Sequence, residues 1–136
     1  MRRAILCTTA FFLSVFASCT IPTQVEIFND SEQLIRIVTE GNEVEIPPGK
    51  IAKLGYEGNL NQIEIQIGLV EHTYRLRSGI PNDFVQWRGW GPWSERVARI
   101  QLDSEGRIWL VGRDQTTPVQ KYITQPDGFP LVPHAV

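Results

Sequence analysis

Cysteine is nearly absent from this chain. Cys7 and Cys19 are the whole supply in 136 residues, and both lie near the N-terminus. The body of the chain therefore has no thiol for a disulfide or a thiolate metal site. Histidine is equally scarce: His72 and His134 are the only side chains that titrate near neutrality without help. Alternation puts His72 on the inward face of a strand, and His134 falls in the C-terminal tail, so both read as structural. No Gly-x-Ser-x-Gly elbow, His-Glu-x-x-His pair, phosphate-cradling glycine loop or Asp-x-Asp-x-Asn calcium loop occurs. Catalytic residues, metal and cofactor are accordingly all expected to be none. A carboxylate pair that meets only in three dimensions is the enzymatic route left open. No run reaches about 18 apolar residues, so no mature spanning helix is expected. A net charge of -2 argues against nucleic-acid binding through bulk positive charge. Hydrophobic residues at 42% and charged residues at 21% are ordinary globular values, which excludes a disordered or fibrous chain.

What is present begins at the N-terminus. Met1-Arg2-Arg3 precedes an apolar run from Ala4 to Phe16, then the small residues Ala17 and Ser18 before Cys19. Charged start, short apolar run and small residues are the three parts of a secretory signal. Phe16-Ala17-Ser18-Cys19 resembles the lipobox of bacterial lipoproteins, with phenylalanine where leucine is usual. The resemblance implies cleavage before Cys19 and acylation, including palmitate, of its sulfur and new amino group. Residues 1–18 are then a signal peptide and 19–24 a lipidated tether. The competing reading is an ordinary secreted chain cut near Ala17, which would leave Cys19 an unpaired thiol prone to oxidation. The resemblance further implies a cell-envelope location. With Thr20 after the cysteine, it implies the periplasmic face of the outer membrane in a two-membrane bacterium.

Beyond the tether, apolar residues recur at period two, the signal for strands. Ile63, Ile65 and Ile67 alternate with Glu64 and Gln66; His72, Tyr74 and Leu76 alternate with Thr73, Arg75 and Arg77. A Gly68–Glu71 turn would pair Ile65 with Tyr74 inward and Glu64 with Arg75 outward. A second hairpin is expected from Ala98 to Val111. There, a three-residue loop ending in Gly106 sets Leu102 against Ile108 and Ile100 against Leu110, with Trp109 outward beside Gln101. Val25–Phe28 and Leu34–Thr39 read as a hairpin around Asn29-Asp30-Ser31. That triplet also matches a glycosylation acceptor but reads as a turn first. Glu43–Ile46 is a strand ended by a Pro47-Pro48-Gly49 turn, with a return over Lys50–Leu54. About eight short strands and no helical period predict an all-β antiparallel sandwich over 25–124, immunoglobulin-like or transthyretin-like. Pro126, Pro130 and Pro133 make 125–136 an extended tail.

The unusual feature is Gln86-Trp87-Arg88-Gly89-Trp90-Gly91-Pro92-Trp93. Three of the four tryptophans recur at spacing three in a Gly- and Pro-bearing stretch. A polyproline-II backbone would line all three rings on one face. The stretch resembles the Trp-x-x-Trp-x-x-Trp segment of thrombospondin type 1 repeats, in which arginines layer between the rings. Only this local device is shared, because the chain lacks the disulfides of those repeats. Arg75 and Arg77 are the expected stacking donors, with Arg96 and Arg99 as alternatives. The rings either pack over one end of the sandwich or form a platform for an envelope protein or a glycan. Trp87, Trp90, Trp93, Arg75, Arg77 and Arg88 are thus the candidate binding surface, and Cys19 the lipidation site. The expected function is a lipid-anchored binding or assembly module of the cell envelope, held to the membrane through acyl chains. A small carboxylate hydrolase and a purely structural lipoprotein are the alternatives.

Overall fold

The computed structural model describes residues 19–20, 24–39, 42–55, 63–75 and 80–134. The expected signal peptide, Leu76 and Arg77 lie outside the described residues. Within them the chain is all β. The strands are β1 (Cys19–Thr20), β2 (Gln24–Asn29), β3 (Ile35–Thr39), β4 (Asn42–Ile46), β5 (Ile51–Gly55), β6 (Ile63–Ile67), β7 (Val70–Tyr74), β8 (Ile80–Pro81), β9 (Val85–Arg88), β10 (Glu95–Leu102) and β11 (Ile108–Leu110). One sheet has the order β11-β10-β2-β5, with β9 sharing the β10 edge, and the other has the order β4-β3-β6-β7. The short pair β1–β8 stands apart.

The two sheets face each other as a sandwich because alternation gives each one apolar face. Val25, Ile27, Ala98, Ile100, Leu102, Ile108 and Leu110 come from the first sheet and meet Ile35, Ile37, Ile46, Ile63, Ile65 and Tyr74 from the second. Pairing is antiparallel except between β2 and β10, which run parallel with Val25 beside Ala98 and Ile27 beside Ile100. The expected sandwich is therefore present with one parallel pair in it.

The β10–β11 hairpin has the expected register: Leu102 pairs with Ile108 and Ile100 with Leu110. Gly106, at φ +76°, takes the left-handed position that closes the loop. Asp103 locks this turn. Its carboxylate accepts from the backbone N–H of Glu105 and Arg107, each at 2.9 Å, from Arg107 Nε at 2.8 Å and from the Trp109 indole at 2.9 Å. Burial alone would raise the Asp103 pKa, but those bonds to Trp109 and Arg107 outweigh it and leave the pKa lowered. A lowered folded-state pKa contributes stability that is present above the unfolded value, about 3.9, and lost as pH falls through the folded value. The urea midpoint is thus expected to drop on acidification below about pH 4. Asp103→Asn should be less stable at neutral pH and flatter across that acid window.

Two expectations are corrected here. The β6–β7 hairpin pairs Ile63 with Tyr74, Ile65 with His72 and Ile67 with Val70, two residues away from the expected register. Gly68, at φ +59°, opens a two-residue turn with Leu69, which lacks a positive φ, so the strands meet sooner than a four-residue turn allows. The shift by two keeps Ile65 inward, fully buried, but sets Glu64 opposite Thr73, so the Glu64–Arg75 pair does not form across the ladder.

Likewise β2 and β3 are not a hairpin, for they belong to different sheets. Residues 29–34 form a corner between the layers, and 47–50 form another. At the latter, Lys50 N–H donates to Pro47 O at 3.2 Å around Gly49, whose φ is +73°. Asn29 sits fully buried at the crossing, which removes it as a glycosylation acceptor. Its amide donates to Gln33 O and Ile46 O, each at 2.8 Å, while its oxygen accepts from Ser31 N–H at 2.9 Å and Ser31 Oγ at 2.6 Å. Its backbone N–H donates to Lys50 O and its carbonyl accepts from Gly49 N–H.

The outer face of the first sheet is covered by the chain after β11. Gln101 exchanges hydrogen bonds with the Val119 backbone at 2.8 and 3.3 Å, and Gln125 does the same with Leu110 at 2.9 and 3.0 Å. Trp109 does point outward beside Gln101, but Tyr122 stacks on it with centroids 4.4 Å apart. The Pro-rich tail lies on the domain: Leu131 bridges Ile108 in one sheet and His134 bridges Thr73 in the other.

Candidate functional site

The Trp segment is a β-hairpin, which corrects the polyproline-II expectation. In β9 and β10, Val85 pairs with Ala98, Gln86 with Val97, Trp87 with Arg96 and Arg88 with Glu95. Alternation places Val85 and Ala98 toward the core. The same face carries Trp87 and Arg96, two residues further out, where the sandwich has ended. There the Arg96 guanidinium lies 5.9 Å from the centroid of the Trp87 ring. A partly exposed contact of this kind contributes about 0.5–1 kcal/mol. The stacking donor is thus the cross-strand arginine Arg96.

The six-residue tip is shaped by its glycines. Gly89 has φ +81°, and a Cβ there would lie 2.9 Å from the Trp93 carbonyl oxygen, so no larger residue fits without a shift. Trp90 is extended, and Gly91–Trp93 form a single 3-10 turn closed by Ser94 N–H to Gly91 O at 3.2 Å. The three rings are left in solvent, with Trp87 62%, Trp90 82% and Trp93 78% exposed. Packing over the end of the sandwich, which would have buried all three, is overturned.

Strand directions decide what shares this end. The corners at 29–34 and 47–50 join β2 to β3 and β4 to β5 at the opposite end. The near end therefore carries the start of β2, the end of β3 and start of β4, the end of β5, the start of β6 and end of β7, and the Trp hairpin. Gln24 begins β2 beside Val97, and its side-chain amide donates to Glu95 Oε1 at 3.1 Å. Arg75 follows β7 directly and is exposed at this end. Arg88 does not contribute to the Trp surface. Its guanidinium turns to the outer face of the sheet and forms a bidentate pair with the buried Glu26, with Nη2–Oε2 at 3.1 Å. Arg77 lies outside the described residues.

Glu26 was not singled out from sequence, because a lone Glu between Val25 and Ile27 reads as a solvent-facing strand residue. It lies instead under Arg88 and 3.7 Å from Lys53 Nζ. The cross-strand neighbours Lys53 and Arg99 on either side of β2 were the available signal. Arg99 is itself buried and donates to Gly112 O at 2.8 Å and Arg113 O at 3.1 Å. Burial and the nearby Arg88 lower its pKa, with Glu26 and Asp114 opposing. This cluster ties Glu26 and Lys53 to Arg88 and Arg99, far along the chain. It borders a depression of about 10 Å³, room for one water, lined by Glu26, Phe28, Ile51, Arg99, Ile100 and Thr117.

Glu43 and Glu45 share one outer strand face, yet Arg36 lies between them. Its Nη2 donates to Glu45 at 2.7 Å, and its Nε lies 2.7 Å from Glu43 without hydrogen-bond alignment. Glu26 and the Glu43–Glu45 pair are thus each engaged by cations, which does not make a facing carboxylate pair of the kind hydrolysis needs. Among the described residues no group of three or more His, Cys, Asp or Glu side chains converges as a metal site. No helix among them is long and apolar enough to cross a membrane. No family model, curated protein or solved structure matches the chain.

Proposed function

We propose that the chain is a lipid-anchored module of the cell envelope whose contact surface is the Trp hairpin. The anchor half of this reading rests on the Arg2-Arg3 start, the apolar run and the lipobox-like Phe16-Ala17-Ser18-Cys19. The surface half rests on one observation: three large rings stand exposed on one ordered hairpin. Exposed large aromatic side chains gathered on one structured element are the kind of surface that marks an interaction site.

Each half has its own test. Cys19→Ser should abolish incorporation of labelled palmitate and release the chain from the membrane fraction. Equal labelling of variant and parent would remove the anchor. Trp90→Ala should leave the denaturant midpoint almost unchanged, a change within about 0.5 kcal/mol as for surface positions. A loss of about 3–5 kcal/mol, the cost of a packed aromatic, would remove the contact surface.

A further inference from the structure

We infer that the Trp hairpin is a membrane-interface contact, its rings seated among the lipid headgroups of the bilayer that holds the acylated N-terminus. The inference rests on the lipid-anchored reading and names the partner of the same surface. Three independent features carry it.

The first is reach. Gln24 is the fifth residue after Cys19, a span of at most about 18 Å fully extended. Gln24 is bonded to Glu95, the residue that closes the base of the Trp hairpin. A bilayer bound at Cys19 thus lies within one short tether of the end of the sandwich that carries the rings. Five residues leave little slack for the domain to lift the tip away from the surface.

The second is the chemistry of the tip. Gly89-Trp90-Gly91-Pro92-Trp93-Ser94 contains no charged side chain. Indole rings carry a large apolar body and one N–H, and they favour the headgroup level, where both are accommodated. Charged residues begin only at the base, with Arg88, Glu95 and Arg96. Of these, Glu95 is engaged by Gln24, Arg88 by Glu26, and Arg96 stacks on Trp87. A guanidinium stacked on an indole at the foot of an uncharged tip lies at the depth of the lipid phosphates.

The third is the contrast between the two ends. The opposite end bears Asp30 and Glu32 in one corner, Glu71 at the start of β7 and Asp103 and Glu105 in the β10–β11 turn, against Lys50 and the Arg107 that pairs with the last two, so acidic side chains outnumber basic ones there. Leu34, Leu69 and Val70 are exposed there too, with the Gly68 N–H bonded to Leu34 O, but no tryptophan stands among them. An acidic end is repelled by anionic lipid, whereas the near end adds the exposed Arg75 to the tryptophans. The two ends of the sandwich thus differ, and the tryptophans stand at the end where the tether joins.

The test uses the processed chain in vesicles of equal parts phosphatidylethanolamine and phosphatidylglycerol, with bromine atoms on the lipid acyl chains near the headgroup. Tryptophan emission is the readout, and Trp109, stacked under Tyr122 on the side of the sandwich, is the internal control. Bromolipid should quench about half of the total emission, since three of the four indoles are at the tip. Trp87→Phe, Trp90→Phe and Trp93→Phe combined, leaving Trp109 alone, should lose that quenching while keeping the parent's denaturant midpoint. Palmitate content is measured on the same sample. A palmitoylated chain whose rings are quenched by aqueous iodide and not by bromolipid would overturn the inference and leave the anchor standing. Quenching by bromolipid without palmitate would remove the anchor and leave the membrane contact standing. Rings shielded from iodide only by an added envelope protein or glycan, with no bromolipid quenching, would overturn the inference and assign the surface to that partner.

Discussion

Replacing Asn29 with alanine is expected to cost about 3 kcal/mol or more of folding stability, read as a lower denaturant midpoint with unchanged slope. The side chain fills no large volume; its weight lies in four hydrogen bonds, three of them buried and the one to Gln33 O partly so. Alanine leaves the Gln33 and Ile46 carbonyls and the Ser31 N–H and hydroxyl short of their partner at the crossing between the sheets. Each buried group left unsatisfied costs about 1–3 kcal/mol. Asn29→Asp separates donor from acceptor. It keeps the oxygen that Ser31 donates to but turns a second oxygen toward two carbonyls in a buried site. A carboxyl placed there has its folded-state pKa raised, so the folded state prefers it protonated. The variant's stability should therefore be greatest at acid pH and fall as pH rises above about 4, opposite to the trend expected from Asp103. A variant with parental stability at neutral pH would show that the corner does not depend on these bonds.

Ile65→Ala should cost about 2–5 kcal/mol. Ile65 is fully buried in the middle of β6, between β3 and β7, facing the first sheet across the core. Removing three carbons there leaves a cavity that the neighbouring strands, fixed by their ladders, cannot close. Val70→Ala is the companion measurement. It lies at the exposed end of the same hairpin and should move the midpoint by no more than about 0.5 kcal/mol. Equal losses at the two positions would mean that β6 does not face the core.

These positions also mark how far the fold can be read from the amino acids. Period-two alternation identifies the buried set Ile63, Ile65 and Tyr74 whatever the pairing, because a register shift by two preserves faces. The register itself was misread. A Glu64–Arg75 pair is an appealing partner match, but an exposed ion pair contributes only about 0–1 kcal/mol. The backbone preference of Gly68 for the first turn position outweighs it. At β10–β11 the register was legible because Asp103 and Gly106 fix both loop length and conformation. The Asn29 corner was misread as a hairpin because an Asx turn has the same local chemistry whether it joins neighbours in one sheet or crosses between two. Which occurs is decided by β10, far along the chain. For the candidate surface, the composition of the Trp stretch set it apart from the other strands, but Gly and Pro hid the strand pair that presents it. Arg88 next to the rings in sequence was drawn off by Glu26, while Arg96, nine residues after Trp87 in the numbering, came opposite it.

The parallel pairing of β2 with β10 sets the order in which the molecule can be completed. β2 is central in its sheet, yet Gln24 and its partner Glu95 are 71 residues apart. As the chain is made N-terminus first, β2 can pair early with β5, but its other edge stays open until Glu95–Leu102 has followed. Contacts so distant in sequence close slowly, because the intervening loop must lose its freedom first. The second sheet, β3 to β7, is built from neighbours and can form ahead of the first. Until β10 arrives, the apolar face of the second sheet has only β2 and β5 to pack against, and the sandwich stays incomplete. The domain becomes a closed body only when the last third of the chain arrives.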